Sequence, residues 1–187
     1  MPRIISGTAR GLQIDAPKGN HTRPTTDRIK ESLFNIINHL IDGANVLDLF
    51  SGSGSLGIEA LSRGADSAIF CDKAGEAISL IKKNVSHCKL ESKAQIYHCD
   101  YLRGISKCSE MGVDLVFLDP PYGTGLLQTA ISEIVSARIL TNDAIIVAEH
   151  PSSETFADTL ARAGLGVVRL EKYGDISISF IKAVDGA

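Results

Sequence analysis

Asp119-Pro120-Pro121-Tyr122 follows the apolar run Val113 to Leu118, and this tetrapeptide has the chemistry of a site for an amino group. The run is short, β-branched and aromatic, so it reads as a buried strand. A polar group at the carboxyl end of such a strand lies where a parallel sheet opens its ligand crevice. Two consecutive prolines fix φ twice and remove two backbone donors, so the turn presents only acceptors: the Asp119 carboxylate and backbone carbonyls. Such a cluster accepts both N–H bonds of an exocyclic amine, and Tyr122 offers its face to a planar ring. A bare Pro-Pro pair would read as an ordinary turn; the acid before it and the aromatic after it set this one apart.

A second cluster surrounds Asp48-Leu49-Phe50-Ser51-Gly52-Ser53-Gly54-Ser55-Leu56-Gly57, where Gly52, Gly54 and Gly57 fit the spacing G-x-G-x-x-G ahead of a helix. Glycines there let a ligand approach the backbone at a helix N-terminus. Asp72 follows twenty positions after Gly52, where a carboxylate can bind ribose hydroxyls. This much suits NAD and S-adenosylmethionine equally. Asp48 favours the methyl donor, because a carboxylate close to a pyrophosphate repels it whereas one close to an amino group attracts it. Asp100, after the next strand, can accept from the amine of an adenine or lie in a surface turn. One acid thus stands within or just after each of four successive strands.

The elements that must carry these residues alternate. Strands are expected at Asn45 to Phe50, Ser67 to Cys71, Ala94 to Cys99, Val113 to Leu118 and Ala144 to Glu149. Helices are expected at Leu56 to Arg63, Gly75 to Cys88, Leu126 to Arg138 and Ser153 to Ala163, with a weaker one near Leu102 to Cys108. A further helix starts at Thr25 or Thr26 and ends near Gly43. The alternation implies an α/β fold, a parallel sheet with helices on both faces. Gly166 to Leu170 and Ile176 to Ala183 break the rhythm as a hairpin that adds an antiparallel edge.

A chain of 187 residues is expected to form one domain, residues 1–187. No apolar stretch spans a bilayer and the first residues lack a signal-peptide core, which points to the cytoplasm. Four cysteines without a Cys-x-x-Cys pair and five scattered histidines predict reduced thiols and no structural metal. The net charge of -3 hides an asymmetry. Within residues 1–30, Arg3, Arg10, Lys18, Arg23, Arg28 and Lys30 against Asp15 and Asp27 leave +4, and the remainder carries -7. Such a basic arm, residues 1–24, on an acidic body is the pattern of a face that meets phosphate.

The run DLFSGSGSLGIEALSRGA, Asp48 to Ala65, together with DPPY from Asp119, resembles class I S-adenosylmethionine-dependent methyltransferases that act on base amines. RIISGTARG at Arg3 to Gly11 and TRPTTDRIKESLFNII at Thr22 to Ile37 narrow the resemblance to the bacterial 16S ribosomal RNA guanine-N2 methyltransferase family, the D-type small-subunit enzyme. The likeness runs from the arm to Tyr173-Gly174-Asp175. That family usually has Ala at the positions of Ser51 and Ser55, and commonly Glu at that of Asp72. The resemblance implies a Rossmann-like, seven-stranded, doubly wound sheet, and methyl transfer to one guanine N2 in small-subunit ribosomal RNA by a monomer. It implies Asp119, Pro120, Pro121 and Tyr122 at the amine. It implies Asp48, Phe50, Gly52, Gly54, Asp72, Lys73, Asp100 and Tyr101 about the cofactor, with Thr25 and Asp27 over its methionine end, and Arg10, Arg23 and Arg28 on RNA phosphates. Three rivals remain: an NAD dehydrogenase, which would need a hydride partner; an adenine-N6 or cytosine-N4 methyltransferase; and a non-catalytic RNA-binding assembly module.

Overall fold

The computed structural model describes residues 2–17 and 27–184. Its centre is one seven-stranded sheet in the order β3-β2-β1-β4-β5-β7-β6. The strands are β1 (Asn45–Leu49), β2 (Ser67–Asp72), β3 (Ala94–His98), β4 (Val113–Leu118), β5 (Leu140–Pro151), β6 (Leu165–Tyr173) and β7 (Ile176–Ala183). The first five pair in parallel, and β7 pairs antiparallel with both β5 and β6. The chain winds outward from β1 to β3, then returns to start β4 against the other side of β1. The sheet therefore has its switch point between β1 and β4, and a crevice opens at their carboxyl ends.

Helices α1 (Asp27–Ile37), α2 (Ser55–Ser62), α3 (Gly75–His87), α4 (Tyr101–Ser106), α5 (Leu126–Ser136) and α6 (Ala157–Arg162) cover both faces. Strand alternation divides the core in two. Val46, Phe70, Leu115 and Phe117 meet Phe34, Ile58 and Ile81 on the α1–α3 side, whereas Leu47, Leu49, Val116 and Leu118 meet Ile105, Ile131 and Leu160 on the α4–α6 side. Among the described residues no helix is long and apolar enough to cross a membrane.

Several boundaries differ from expectation. The first helix ends at Ile37 and tightens into a 3₁₀ turn, Asn38–Leu40, and its expected start at Thr25 or Thr26 lies outside the described residues. Strand β5 begins four residues earlier than its apolar run, because Leu140 pairs with Val113 across a register shift and the chain re-enters the ladder at Ile145 opposite Leu115. It also continues to Pro151, which pairs with Ile176, and the helix expected from Ser153 starts at Ala157.

Residues 2–14 of the N-terminal arm form a hairpin clamped onto the fold. Arg3 bridges to Gln13, the amide of Ile4 donates to the Leu12 carbonyl at 2.9 Å, and Ile4, Ala9 and Ile14 are buried. Its anchor is Glu59 on α2, with no exposed surface. The Glu59 carboxylate accepts from the amides of Ile5 (2.8 Å) and Ser6 (3.0 Å) and pairs with Arg63 Nε (2.8 Å) and Lys30 Nζ (3.3 Å). Lys30, equally buried, also donates to the Arg3 carbonyl at 2.6 Å. Gly7 permits the approach: a Cβ there would stand 1.7 Å from the Ser62 carbonyl oxygen.

Candidate active site

The glycine loop is built from within the sheet. Phe50 leaves β1 with φ of 62°, and Gly52 and Gly54 follow with positive φ, so the chain reverses sharply into α2. Asp48 sits beneath this loop at 3% exposure, and its Oδ2 accepts from the Gly57 amide at 2.9 Å. Burial pushes the Asp48 carboxyl well above its ordinary range, partly offset by that amide, while Asp119 and Asp72 add to the rise. Gly57 must be glycine for packing: a Cβ would lie 2.4 Å from the Phe70 ring. Ser51, where the resembled family has Ala, binds both neighbouring strands, donating to the Asp48 carbonyl and accepting from the Cys71 amide at 2.9 Å.

Asp72 ends β2 and directs its carboxylate back at the loop, accepting from the Gly52 amide (2.9 Å) and the Ala74 amide (2.8 Å). Asp100 caps α4, its Oδ1 accepting from the Arg103 amide at 2.9 Å. Next to it Tyr101 stacks on Phe50, with ring centroids 5.9 Å apart and planes 29° apart. Phe50, Gly52, Asp72, Lys73, Asp100 and Tyr101 line one side of an open cleft of about 870 Å³, and Asp119, Pro120, Pro121 and Tyr122 line the other. The two motifs, more than sixty residues apart in the chain, therefore meet across the switch point.

Two members of the sequence-derived set stand back from the cleft wall. Asp48 lies under the loop, and Gly54 is buried against Ile58 and Ile81. Asp27 pairs with Arg3 Nε at 2.8 Å on the hairpin side. Arg10 and Arg28 are exposed. Thr25 and Arg23 lie outside the described residues.

The cleft also contains residues to which sequence reasoning assigned no role. The chief one is Glu149 at the end of β5: Tyr122 donates its hydroxyl to Glu149 Oε1 at 2.7 Å. A signal for it existed, since Glu149 continues the pattern of an acid at the end of each central strand. Asp175 and Ile176 arrive from the β6–β7 turn, and Cys71 and Cys99 stand side by side with sulfurs 3.2 Å apart. All four cysteines are free thiols.

Asp119 is exposed to the cleft yet enclosed by protein on its other sides. That partial loss of water, together with the negative charge of Glu149, raises its carboxyl to about 8. Water in the cleft moderates the effect and leaves its direction unchanged. Among the described residues, five acids, Asp72, Asp100, Asp119, Glu149 and Asp175, line the cleft with one base, Lys73. An acidic cleft of this kind attracts a cationic or amine-bearing ligand and repels phosphate.

This architecture, with its switch-point cleft, is the fold of class I S-adenosylmethionine-dependent methyltransferases. Residues 2–182 match the family described as Conserved hypothetical protein 95, and the chain belongs to it. It is 41% identical over 182 residues to YlbH of Bacillus subtilis, a candidate rRNA methyltransferase, covering 96% of this chain and 98% of that one. It is 36% identical over 149 residues to Ribosomal RNA small subunit methyltransferase D of Escherichia coli, covering 79% and 73% of the two. Among solved structures, the candidate methyltransferase yhhF of Escherichia coli superposes with a TM-score of 0.81 at 31% identity, over 98% of this chain and 99% of that one.

Proposed function

We propose that the chain, acting as one methyltransferase domain, methylates ribosomal RNA with S-adenosylmethionine, at the exocyclic N2 amine of a guanine in the small subunit. The observation that carries the reading is the acidic cleft joining the glycine loop to the Asp-Pro-Pro-Tyr turn. A pyrophosphate cofactor would meet five acids there, whereas a sulfonium and an amine are drawn to them. The relatives named for ribosomal RNA supply the substrate class. The same relatives, being RNA-modifying, favour the cytoplasm as the site of action.

The lining fits the methyl donor. The Phe50–Tyr101 stack offers an aromatic wall for an adenine, Asp100 an acceptor for its amine, and Asp72, already oriented by two backbone amides, a carboxylate for ribose hydroxyls. When bound, this cofactor supplies an electrophilic methyl group on a sulfonium. Across the cleft, Asp119 and the Pro120 carbonyl accept the N–H bonds of the incoming amine, countering the delocalisation of its lone pair into the ring. Tyr122 holds the base by stacking after it leaves its helix. Holding nitrogen at near-attack distance supplies much of the acceleration. Asp119, its carboxyl raised, accepts the proton that the methylated nitrogen sheds. Exposed Arg10 and Arg28 contact phosphates, a role that the sequence also gives Arg23.

Calorimetry with S-adenosylhomocysteine and with NAD tests the cofactor; binding of NAD alone would overturn it. Nucleoside mass spectrometry of ribosomal RNA from cells with and without the gene tests the substrate, with N2-methylguanosine expected to disappear without it.

A further inference from the structure

We propose that Glu149 selects guanine, by accepting the ring N1–H beside the amine that Asp119 holds. The proposal rests on the guanine reading above and deepens it.

The sheet sets the two carboxylates together. Strands β4 and β5 run parallel with Leu118 opposite Ala148, so Asp119, just past β4, and Glu149, still within β5, stand at the same level. Both line the cleft, and the charge of Glu149 reaches Asp119 strongly enough to help raise its carboxyl. The Tyr122 hydroxyl, donating to Glu149 Oε1 at 2.7 Å, holds this carboxylate toward the Pro120-Pro121 turn. A carboxylate presents about four acceptor sites on its two oxygens, so a base edge can share it with other donors.

One acceptor suffices for an amine and cannot tell the amine-bearing bases apart. The atom next to the amine can. In adenine and cytosine the adjacent ring nitrogen carries a lone pair, whereas in guanine it carries a hydrogen. A second carboxylate beside the first therefore meets a donor in guanine and a repelling lone pair in the other two. Removing one partner of a hydrogen bond to a charged group changes affinity by about tenfold to a hundredfold.

The test uses the full chain and S-adenosylmethionine on small-subunit RNA from cells lacking the gene. Nucleoside mapping first locates the methylated base. RNA ligated to carry either guanosine or 2-aminopurine riboside at that position is then compared; the analogue keeps the amine and loses the N1 hydrogen together with the 6-oxo group, so the change of preference on substituting Glu149 is what reports the N1 contact. The unsubstituted chain is expected to prefer guanosine by at least about tenfold in kcat/KM. Glu149→Gln should lose about tenfold or more on guanosine while its amide N–H serves the bare ring nitrogen, so that the preference collapses or reverses. Retained S-adenosylhomocysteine affinity would report an intact fold. Tyr122→Phe keeps the ring but removes the hydroxyl that holds the Glu149 carboxylate, and should narrow the preference for guanosine even if Glu149→Gln fails to fold. Undiminished preference in Glu149→Gln, or in Tyr122→Phe, would overturn the assignment to Glu149. Methylation of adenine or cytosine by the unsubstituted chain would overturn the guanine reading and this proposal together.

Discussion

Glu59 and Asp119 are both acids drawn out of bulk water, and their company differs. Glu59 is surrounded by cations and amides: Lys30, Arg63 and the backbone of Ile5 and Ser6. Asp119 stands beside another acid, Glu149, with Asp72, Asp100 and Asp175 on the same cleft. The first cluster is electrostatically complete and serves to pin the N-terminal hairpin to α2. The second gathers like charges, with Asp72 and Asp100 held by backbone amides and Glu149 by the Tyr122 hydroxyl, and it draws the positive charge and donors that a sulfonium and an amine would bring. Mutually satisfied charges mark structure here, and like charges held together mark the site.

The largest effect should come from breaking the complete cluster. Glu59→Ala leaves buried Lys30 uncompensated and two amides without their acceptor, and should cost about 3–5 kcal/mol, read by denaturant unfolding. A loss under 1 kcal/mol would make the hairpin's anchor apolar instead of ionic.

In the cleft cluster, Asp119→Ala should cut turnover about a hundredfold or more with little change in S-adenosylhomocysteine affinity. The matching isostere separates function from stability. Because the folded chain holds the Asp119 proton up to about 8, while an unfolded carboxyl releases it near the ordinary 4, folded stability falls as pH rises through that window. Asp119→Asn is therefore expected to be inactive yet to melt above the parent at pH 8.5, with the gap closing toward pH 4. In the parent, kcat/KM should rise with pH toward a plateau above about 8.

Asp48 lies between the two clusters in character, buried like Glu59 and acid-flanked like Asp119. Asp48→Ala strips the Gly57 amide of its acceptor and should cost about 1–3 kcal/mol while weakening S-adenosylhomocysteine through the distorted loop. Unchanged binding would confine Asp48 to stability.

The smallest effect concerns the exposed bases of the hairpin. If Arg10 meets one phosphate, Arg10→Ala should flatten the log affinity against log salt plot by about 0.7 to 0.9 and spare cofactor binding. An unchanged slope would move RNA recognition to another face.

Much of this site was legible in the chain because it is local. A strand that ends in an acid, a glycine run that opens a helix and a Pro-Pro turn are each written in consecutive residues, and periodicity places them at the same edge of a parallel sheet. The four central acids and the glycine loop were therefore readable together, as was the terminal hairpin of β6 and β7. What escaped depended on partners distant in sequence. Glu149 gained its meaning only when Leu118 came opposite Ala148, and the bond from the Gly57 amide to Asp48 is visible only in the fold. The N-terminal charges read as an arm because composition records sign and number; Glu59, more than fifty residues away, is what turns that segment into a clamped hairpin. Local sequence thus determined which chemical groups this protein carries and at which ends of its elements. Tertiary packing alone decided which charges neutralise one another and which are left facing the cleft, because Coulomb and hydrogen-bond energies depend on distance through space and not along the chain.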